Sequence, residues 1–182
     1  MNLEGWRRDV QREFRRTKEL CDRAMAQVND TDFRAAPDPA TNPIAMIVKH
    51  VAGNQRSRWT DFLTTDGEKP DRNRDSEFVL DAADTRGALL ECWERGWKIL
   101  FDTLASLEDR DLDTTVTIRG EPHTVYQAIH RQLTHYAYHA GQIVLLARHY
   151  AGDRWTTLSV ARGASPAFNR APSSYLDRDA KR

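Results

Sequence analysis

The sequence predicts an all-α protein folded as a four-helix bundle. Four stretches of the 182-residue chain place apolar side chains at the spacing of one helix face. Segments rich in proline, glycine or charge separate them, and strand-like alternation occurs in only one short stretch. Apolar residues make up 40% and charged residues 30% of the chain, which is typical of a soluble globular domain. We therefore predict a bundle with a short hairpin before its last helix and an irregular C-terminal tail.

The first two bundle helices are predicted at residues 2–28 and 43–64. In the first helix, Arg and Lys occupy the face opposite the apolar one. A segment with two closely spaced prolines separates the two helices, because proline interrupts helical hydrogen bonding. Asn42 is a favoured N-cap and Pro43 suits the first helical position. The following loop, 66–76, is rich in Asp and Arg and is predicted to be exposed.

The third and fourth bundle helices are predicted at residues 81–107 and 125–150. The third has a broad apolar face. Residues 115–120 alternate polar and apolar side chains and end in Arg-Gly, which predicts a short hairpin. Thr124 and Gln127 have the spacing of a capping box at the start of the fourth helix.

Two regions are predicted along the chain. Residues 1–152 form the bundle, and residues 153–182 form a C-terminal extension whose end, 173–182, is expected to be mobile. Three apolar side chains are candidates to hold the extension against the bundle: Trp155, Leu158 and Phe168.

Charge and targeting signals exclude several classes of function. Lys plus Arg number 27, as do Asp plus Glu, so no excess positive charge favours nucleic acid or an anionic membrane as partner. No apolar run has the length of a signal peptide or a membrane span, which predicts a cytoplasmic protein. Cys21 and Cys92 lack CxxC spacing and are predicted to be small buried apolar residues.

Three histidines form the candidate functional site. His135 and His139 are four residues apart in the last predicted helix, where their Cβ atoms lie about 5–6 Å apart on one face. His50 lies beside the apolar stripe of the second helix, where an unsatisfied imidazole would be costly. Together they can provide three nitrogen ligands and leave an open position on a metal ion. A solvated helix face and a hydrogen-bonded core pair remain alternatives at this point.

The other histidines and several catalytic motifs are set aside. His123, His130 and His149 lie before the helix, on another face, or at its C-terminus, and are predicted to be structural or surface residues. Tyr136 follows His135, so the Glu of the zinc-protease motif H-E-x-x-H is missing. There is also no nucleophile elbow, phosphate loop or dinucleotide fingerprint.

Two segments of the chain resemble the DinB-like superfamily of four-helix metalloproteins, which includes YfiT-like proteins and thiol transferases. These are HRQLTHYAYHAGQI at 130–143 and IVKHVAGN at 47–54. The match is closest to the DUF1572 branch, on residues 66–70, 162–165 and 168–169 as well. The resemblance covers nearly the whole chain and implies a metal site with three ligands: His50, His135 and His139.

The resemblance also implies a chemistry and a set of partners. Imidazole ligands suit several metals, of which zinc is expected first and nickel or iron next. A water or a thiolate can take the fourth position as an activated nucleophile. The expected function is thiol transfer to a small electrophile or hydrolysis. The alternatives are a non-catalytic metal-binding or small-molecule-binding protein linked to stress response, and a structural homodimer whose metal ties helices together.

Further residues are candidates to support the ligands or line the pocket. Gln142 shares the face of His139, while Asn54 and Arg58 follow His50 by one and two turns. Tyr136 or Tyr138 is a candidate donor to a bound substrate. The expected partners are a small-molecule substrate, such as a low-molecular-weight thiol, and a second copy of the chain, with no nucleic acid or membrane. Three residues are candidates to be shared by core and dimer interface: Trp6, Trp93 and Trp97.

Overall fold

The computed structural model describes residues 3–170, and within them the chain is mostly helical. The helices in chain order are α1 (Leu3–Met25), α2 (Asp30–Arg34), α3 (Ile44–Trp59), α4 (Arg86–Ser106), α5 (Val125–Ala151) and α6 (Ser165–Arg170). Three short 3-10 helices are also present, at Asp75–Phe78, Asp109–Asp111 and Gly152–Arg154. The sheet consists of two strands, β1 (Thr115–Ile118) and β2 (Glu121–Thr124).

The four long helices form the predicted bundle. Helix α3 packs against α4 and α5, and α1 packs against the same two helices from the other side. Large aromatic side chains fill the centre: the rings of Phe14 and Trp59 lie 5.9 Å apart, and those of Trp97 and Tyr136 lie 5.7 Å apart. Burial of such rings provides most of the apolar area that drives folding. Trp93 and Trp97 belong to this core, being 1% exposed, and are therefore not at a surface.

The helix ends differ from the predicted ones for local reasons. The predicted cap of α3 shifts by one residue, since Pro43 occupies the cap position and Ile44 begins the helix. The same helix ends at Trp59 rather than at residue 64, because Thr60 is extended and Asp61 has a positive φ of 47°. Helix α4 begins at Arg86 rather than at residue 81. Thr85 caps it, because its side chain accepts a hydrogen bond from the amide of Ala88.

The predicted hairpin is present, and a side chain of the preceding loop, Asp66, holds its turn in place. Arg119 and Gly120 form a two-residue turn with φ of 57° and 76°, the signs of a type I′ turn. The Asp66 carboxylate accepts hydrogen bonds from both of their amides, at 2.8 and 2.7 Å, and from the amide of Glu68 at 2.6 Å. The hairpin leads into α5 through the predicted capping box of Thr124 and Gln127.

The segment between α3 and α4, residues 60–85, corrects part of the prediction of an exposed loop at 66–76, of which residues 70–71 and 73–76 are exposed as predicted. Gly67 is buried, Glu68 is half-buried, and the side chain of Arg72 is 3% exposed. This segment, called here the α3–α4 loop, folds back on the bundle because Ser57 and Arg58 donate hydrogen bonds to the carbonyl of Gly67. Three of its charged side chains, Glu68, Arg72 and Glu77, pair with one another, whereas Asp71, Arg74 and Asp75 are exposed.

Outside the bundle, several further predictions have an outcome. Trp155 and Leu158 pack against the core, whereas Phe168 is 37% exposed and lies in the short helix α6. Cys21 is buried, which raises the pKa of its thiol to about 12, and Cys92 is half-buried. The predicted mobile end, 173–182, lies outside the described residues. In the part of the chain that is described, no helix has the length and apolarity needed to cross a membrane.

The Asp66 carboxylate generates a first prediction. Although partial burial opposes ionisation, three backbone hydrogen bonds lower the pKa of Asp66 to about 2. Its contribution to stability is therefore present above about pH 4 and lost as the pH falls through 2. We expect Asp66→Asn to lower the free energy of unfolding by roughly 1 kcal/mol at pH 7, measured by urea denaturation.

The difference between wild type and Asp66→Asn should shrink between pH 4 and pH 2. Asp71→Asn is the matched control, because Asp71 is exposed and pairs with the exposed Arg56. An equal loss at pH 2 and pH 7 would contradict the assigned role of the carboxylate.

Candidate metal centre

Helices α3 and α5 bring together the three histidines that the sequence singled out. His135 and His139 lie one turn apart on α5, and His50 approaches them from α3. The Nε2 atom of His135 lies 3.1 Å from Nε2 of His139 and 3.4 Å from Nε2 of His50. The three residues, called here the three-histidine cluster, can hold a metal ion between them.

The separations fit nitrogen ligands of a single ion. At a metal–nitrogen distance of about 2.0–2.1 Å, tetrahedral coordination places two nitrogens about 3.3 Å apart. The rings of His135 and His139 also stand nearly perpendicular, at 79°, as do those of His50 and His135, at 88°. The rings therefore point their edges, rather than their faces, at a common centre.

The outer nitrogens of two rings are hydrogen-bonded, which fixes the protonation of those rings. Glu77 Oε2 lies 2.8 Å from Nδ1 of His50, and a carboxylate can only accept, so this Nδ1 must donate. Nδ1 of His139 likewise donates to Oε1 of Gln142 at 2.7 Å. With a proton held at Nδ1, Nε2 is the nitrogen of each ring that can present a lone pair to the centre.

His135 is the ring without such support. Its Nδ1 atom is buried and has no hydrogen-bond partner among the described residues. Burial lowers the pKa of His135 to about 3, and repulsion from His139 and His50 acts in the same direction. Burial also lowers the pKa of His139, against the opposing hydrogen bond with Gln142. Neutral rings are the form that a metal requires.

Three closely spaced Nε2 atoms are unfavourable without a cation. The Nε2 atoms of His50 and His139 are acceptors, so at most His135 can offer a proton to one of them. Nδ1 of His135 is the orphaned buried atom in either case. A metal ion would accept all three lone pairs at once, so the donor set fits such an ion.

Glu77, which supports His50, belongs to a buried ion pair. Arg72 donates to Oε1 and Oε2 of Glu77, both at 2.8 Å, and the two side chains are 3% and 8% exposed. Burial alone would raise the pKa of Glu77, but hydrogen bonds from His50 and Arg72 lower it instead. The carboxylate is therefore charged and able to orient the His50 ring.

Close packing holds Glu77 beside α3. A Cβ atom at Gly53 would collide with the Glu77 carboxylate, so glycine is required there for this approach. Phe78 places its ring 4.8 Å from that of His50. Glu77 and Arg72 were not among the predicted site residues. Arg72 lies in the segment 66–76 that was predicted to be exposed, and Glu77 directly follows that segment. The apolar Phe78 after Glu77 was the available signal.

The residues predicted to support the site have different surroundings. Gln142 contacts His139, as described above. Arg58 is 5% exposed and donates to Glu68 at 2.8 Å. Asn54 is also buried, and its Oδ1 accepts a hydrogen bond from the hydroxyl of Tyr136 at 3.0 Å.

The hydroxyl of Tyr136 is occupied within the core and is not placed to donate to a substrate at the cluster. Tyr136 is 2% exposed, and its hydroxyl also accepts from Nε1 of Trp59 at 3.1 Å. Its proton is already donated to Asn54. Tyr138 is 64% exposed, with its ring 5.1 Å from that of His139.

The three remaining histidines lie outside the cluster, as predicted. His123 is in β2, while His130 is exposed and its ring lies 5.8 Å from that of Trp6. His149 is exposed in the last turn of α5.

A cleft of about 170 Å³ opens beside the cluster and is lined in part by His50 and His135. Two ligand rings therefore form part of its wall. A metal held by the cluster would be within reach of a small molecule in this cleft, which is the arrangement of a reactive site rather than a closed structural one.

Comparison with known proteins identifies a family and nothing further. The family described as "Protein of unknown function (DUF1572)" matches residues 3–164, which include the complete bundle and the three-histidine cluster. No curated protein and no solved structure matches the chain.

The buried hydroxyl of Tyr136 generates a second prediction. Tyr136→Phe leaves Trp59 Nε1 and Asn54 Oδ1 without a buried partner, so we expect a loss of about 1–3 kcal/mol in the free energy of unfolding. Metal content should be unchanged because the ligands are untouched. Tyr138→Phe is the matched control and should alter neither quantity. Loss of metal in folded Tyr136→Phe would show that its hydroxyl acts at the cluster.

The Glu77 carboxylate generates a third prediction. Glu77→Gln weakens the hydrogen bond that orients His50, so we expect metal affinity to fall by about 10–100-fold. Gly53→Ala should also weaken binding, because it displaces the same carboxylate. Affinity is measured by competition with a chromogenic chelator, and folding by circular dichroism.

Glu121→Gln and Gly87→Ala are the controls for this pair. Glu121 is exposed, and a Cβ at Gly87 meets nothing within 4 Å among the described residues. Unchanged metal affinity in folded Glu77→Gln and Gly53→Ala would refute the assigned role of the carboxylate.

Proposed function

The chain belongs to the DUF1572 family, and on that premise we propose that it is a metal-dependent enzyme of the DinB-like superfamily that transfers a thiol to a small electrophile. The proposal assigns His50, His135 and His139 as the metal ligands. The observation that carries it is the convergence of three imidazoles at Nε2 separations of 3.1 and 3.4 Å.

The three-histidine cluster supports an open site rather than a purely structural one. A structural zinc site usually has four protein ligands, and no Cys, Asp or Glu joins the three histidines among the described residues. The cleft beside His50 and His135 leaves room for a small molecule at the same place. A bound divalent metal would supply Lewis-acid activation of a thiol or a water molecule near neutral pH.

The residues around the cluster have distinct roles in this proposal. Glu77 and Gln142 keep the protons of His50 and His139 at Nδ1, so that each Nε2 is free to bind metal. The ring of Phe78 packs against His50 and excludes water from one side of it. The buried pair of Glu77 and Arg72 keeps the carboxylate charged and in place.

The proposed reaction forms a sulfur–carbon bond. The thiol sulfur bonds to the electrophilic carbon, the bond from that carbon to its leaving group breaks, and the thiol proton goes to solvent. Imidazole ligands favour zinc, with nickel or iron next, since all three accept nitrogen donors. We further propose a cytoplasmic homodimer whose substrates are a low-molecular-weight thiol and a small electrophile.

Substitution of each ligand tests this function and is a fourth prediction. We expect His50→Ala, His135→Ala and His139→Ala each to lose bound metal, measured by elemental analysis of the purified protein. Each variant should also lose activity with cysteine and a chlorodinitrobenzene as substrates. In this reaction the cysteine sulfur displaces chloride from the aromatic ring and forms a coloured thioether. Circular dichroism should show that the helices remain folded.

His149→Ala is the matched control, because it is exposed on the same helix and lies outside the cluster. It should retain both metal and turnover. Metal binding without turnover by wild-type protein with any thiol would favour the non-catalytic binding protein instead. Absence of metal from the wild type after incubation with zinc, nickel or ferrous iron would refute the metal site.

A further inference from the structure

Arginine side chains dominate the cleft beside the three-histidine cluster. The cleft lining includes five of them and no carboxylate among the described residues. They come from α3, the α3–α4 loop, the hairpin turn and α5: Arg58, Arg72, Arg74, Arg119 and Arg131. This surface is called here the cationic cleft.

Neighbouring carboxylates neutralise only part of this charge. Glu68 accepts from three of the arginines, namely Arg58 at 2.8 Å, Arg72 at 3.2 Å and Arg119 at 3.3 Å. Glu77 is shared between Arg72 and His50.

The outer end of the cleft has less compensation still. Among the described residues, Arg74 pairs with Asp75, which is 3.7 Å away and almost fully exposed, and its guanidinium lies 4.9 Å from the centre of the Phe78 ring. Asp66 lies nearby, but its oxygens are bonded to the backbone amides of the hairpin turn and the loop. The five guanidinium groups thus have three carboxylates as ion-pair partners, namely Glu68, Glu77 and Asp75. A metal ion would add further positive charge.

Arg131 and Gln132 provide unused hydrogen-bonding groups. Arg131 is exposed on α5, one turn before His135, and makes no hydrogen bond or ion pair within the described part of the chain. Gln132 is 3% exposed and lines the cleft, and its Oε1 atom has no partner among the described residues. This oxygen is an acceptor, so it is satisfied by a donor such as water and not by an anion.

Arg119 occupies an unusual backbone position. Its φ of 57° is a conformation that favours Gly or Asn, and an arginine there costs conformational energy. Asp66 holds this turn in place from the α3–α4 loop. The turn thereby presents the Arg119 side chain to the cleft. This side chain is 54% exposed and able to reach a ligand.

We propose that the cationic cleft binds an oxyanion group, a carboxylate or a phosphate, of the small molecule that reacts at the three-histidine cluster. The inference rests on the proposed function and narrows its substrate to an anionic one. Guanidinium groups bind both kinds of oxyanion through paired hydrogen bonds. Arg131 and Arg119 are the contacts, and His50 and His135 form the adjoining wall.

Anion titration of variants tests this proposal and is a fifth prediction. Inorganic phosphate and succinate are titrated by calorimetry into the protein at low ionic strength, both with zinc and after removal of metal. We expect Arg131→Gln and Arg119→Gln each to raise the Kd of the bound anion by about tenfold, because a charge-assisted hydrogen bond is lost. Arg148→Gln, an exposed arginine farther along α5, is the matched control and should bind like wild type.

Comparison of the two probes identifies the kind of oxyanion. Tighter binding of phosphate indicates a phosphate group, and tighter binding of succinate indicates a carboxylate. Added chloride should weaken binding of either probe, because salt screens exposed charges. Metal content is measured on the same samples and should be unchanged in both arginine variants. Glutamine favours helix formation, so Arg131→Gln should fold normally.

Three results would overturn the inference. The first is that neither anion binds the wild type. The second is that both arginine variants bind the anion as tightly as wild type. The third is that binding requires only zinc and His135, which would make the anion a simple metal ligand. Failure of the proposed function gives a different result: arginine-dependent binding persists in protein that takes up no metal or shows no thiol turnover.

Discussion

The structure depends on three imidazole nitrogens held edge to edge in a buried space. At Nε2 separations of 3.1 and 3.4 Å, two protonated nitrogens cannot face each other, so each pair shares at most one proton. Burial favours the neutral form of His135 and His139 and lowers the pKa of both rings. The same condition prepares the rings to donate lone pairs, so apolar packing and metal affinity act together here.

A chain of charged contacts extends from the cluster to the edge of the molecule. His50 contacts Glu77, Glu77 contacts Arg72, and Arg72 contacts Glu68, which also receives Arg119 from the hairpin turn. Buried ion pairs of this kind add little net stability because desolvation offsets their attraction. Their effect is positional: the α3–α4 loop and the hairpin are fixed relative to the His50 ring. The arrangement places the cationic cleft and the cluster side by side.

Helix α5 contributes residues to the three-histidine cluster on one face and to the apolar core on another. His135 and His139 face the cluster, while Tyr136, between them in sequence, faces the core. There its hydroxyl links Trp59 and Asn54, both on α3. The two helices are thus connected through the core on one side of α5 and through the histidines on the other, which limits sliding of one helix along the other.

Local sequence patterns determined the helices, the hairpin and the three histidines. The reason is that apolar periodicity, the capping box of Thr124 and Gln127, and the spacing of His135 and His139 depend on residues close in sequence. Tertiary structure alone decided that the charged α3–α4 loop would fold inward and bring Glu77 and Arg72 to His50. A charged side chain is buried only when a partner from elsewhere neutralises it, and no local pattern specifies that partner. The arginines of the cleft come together from four separate segments for the same reason.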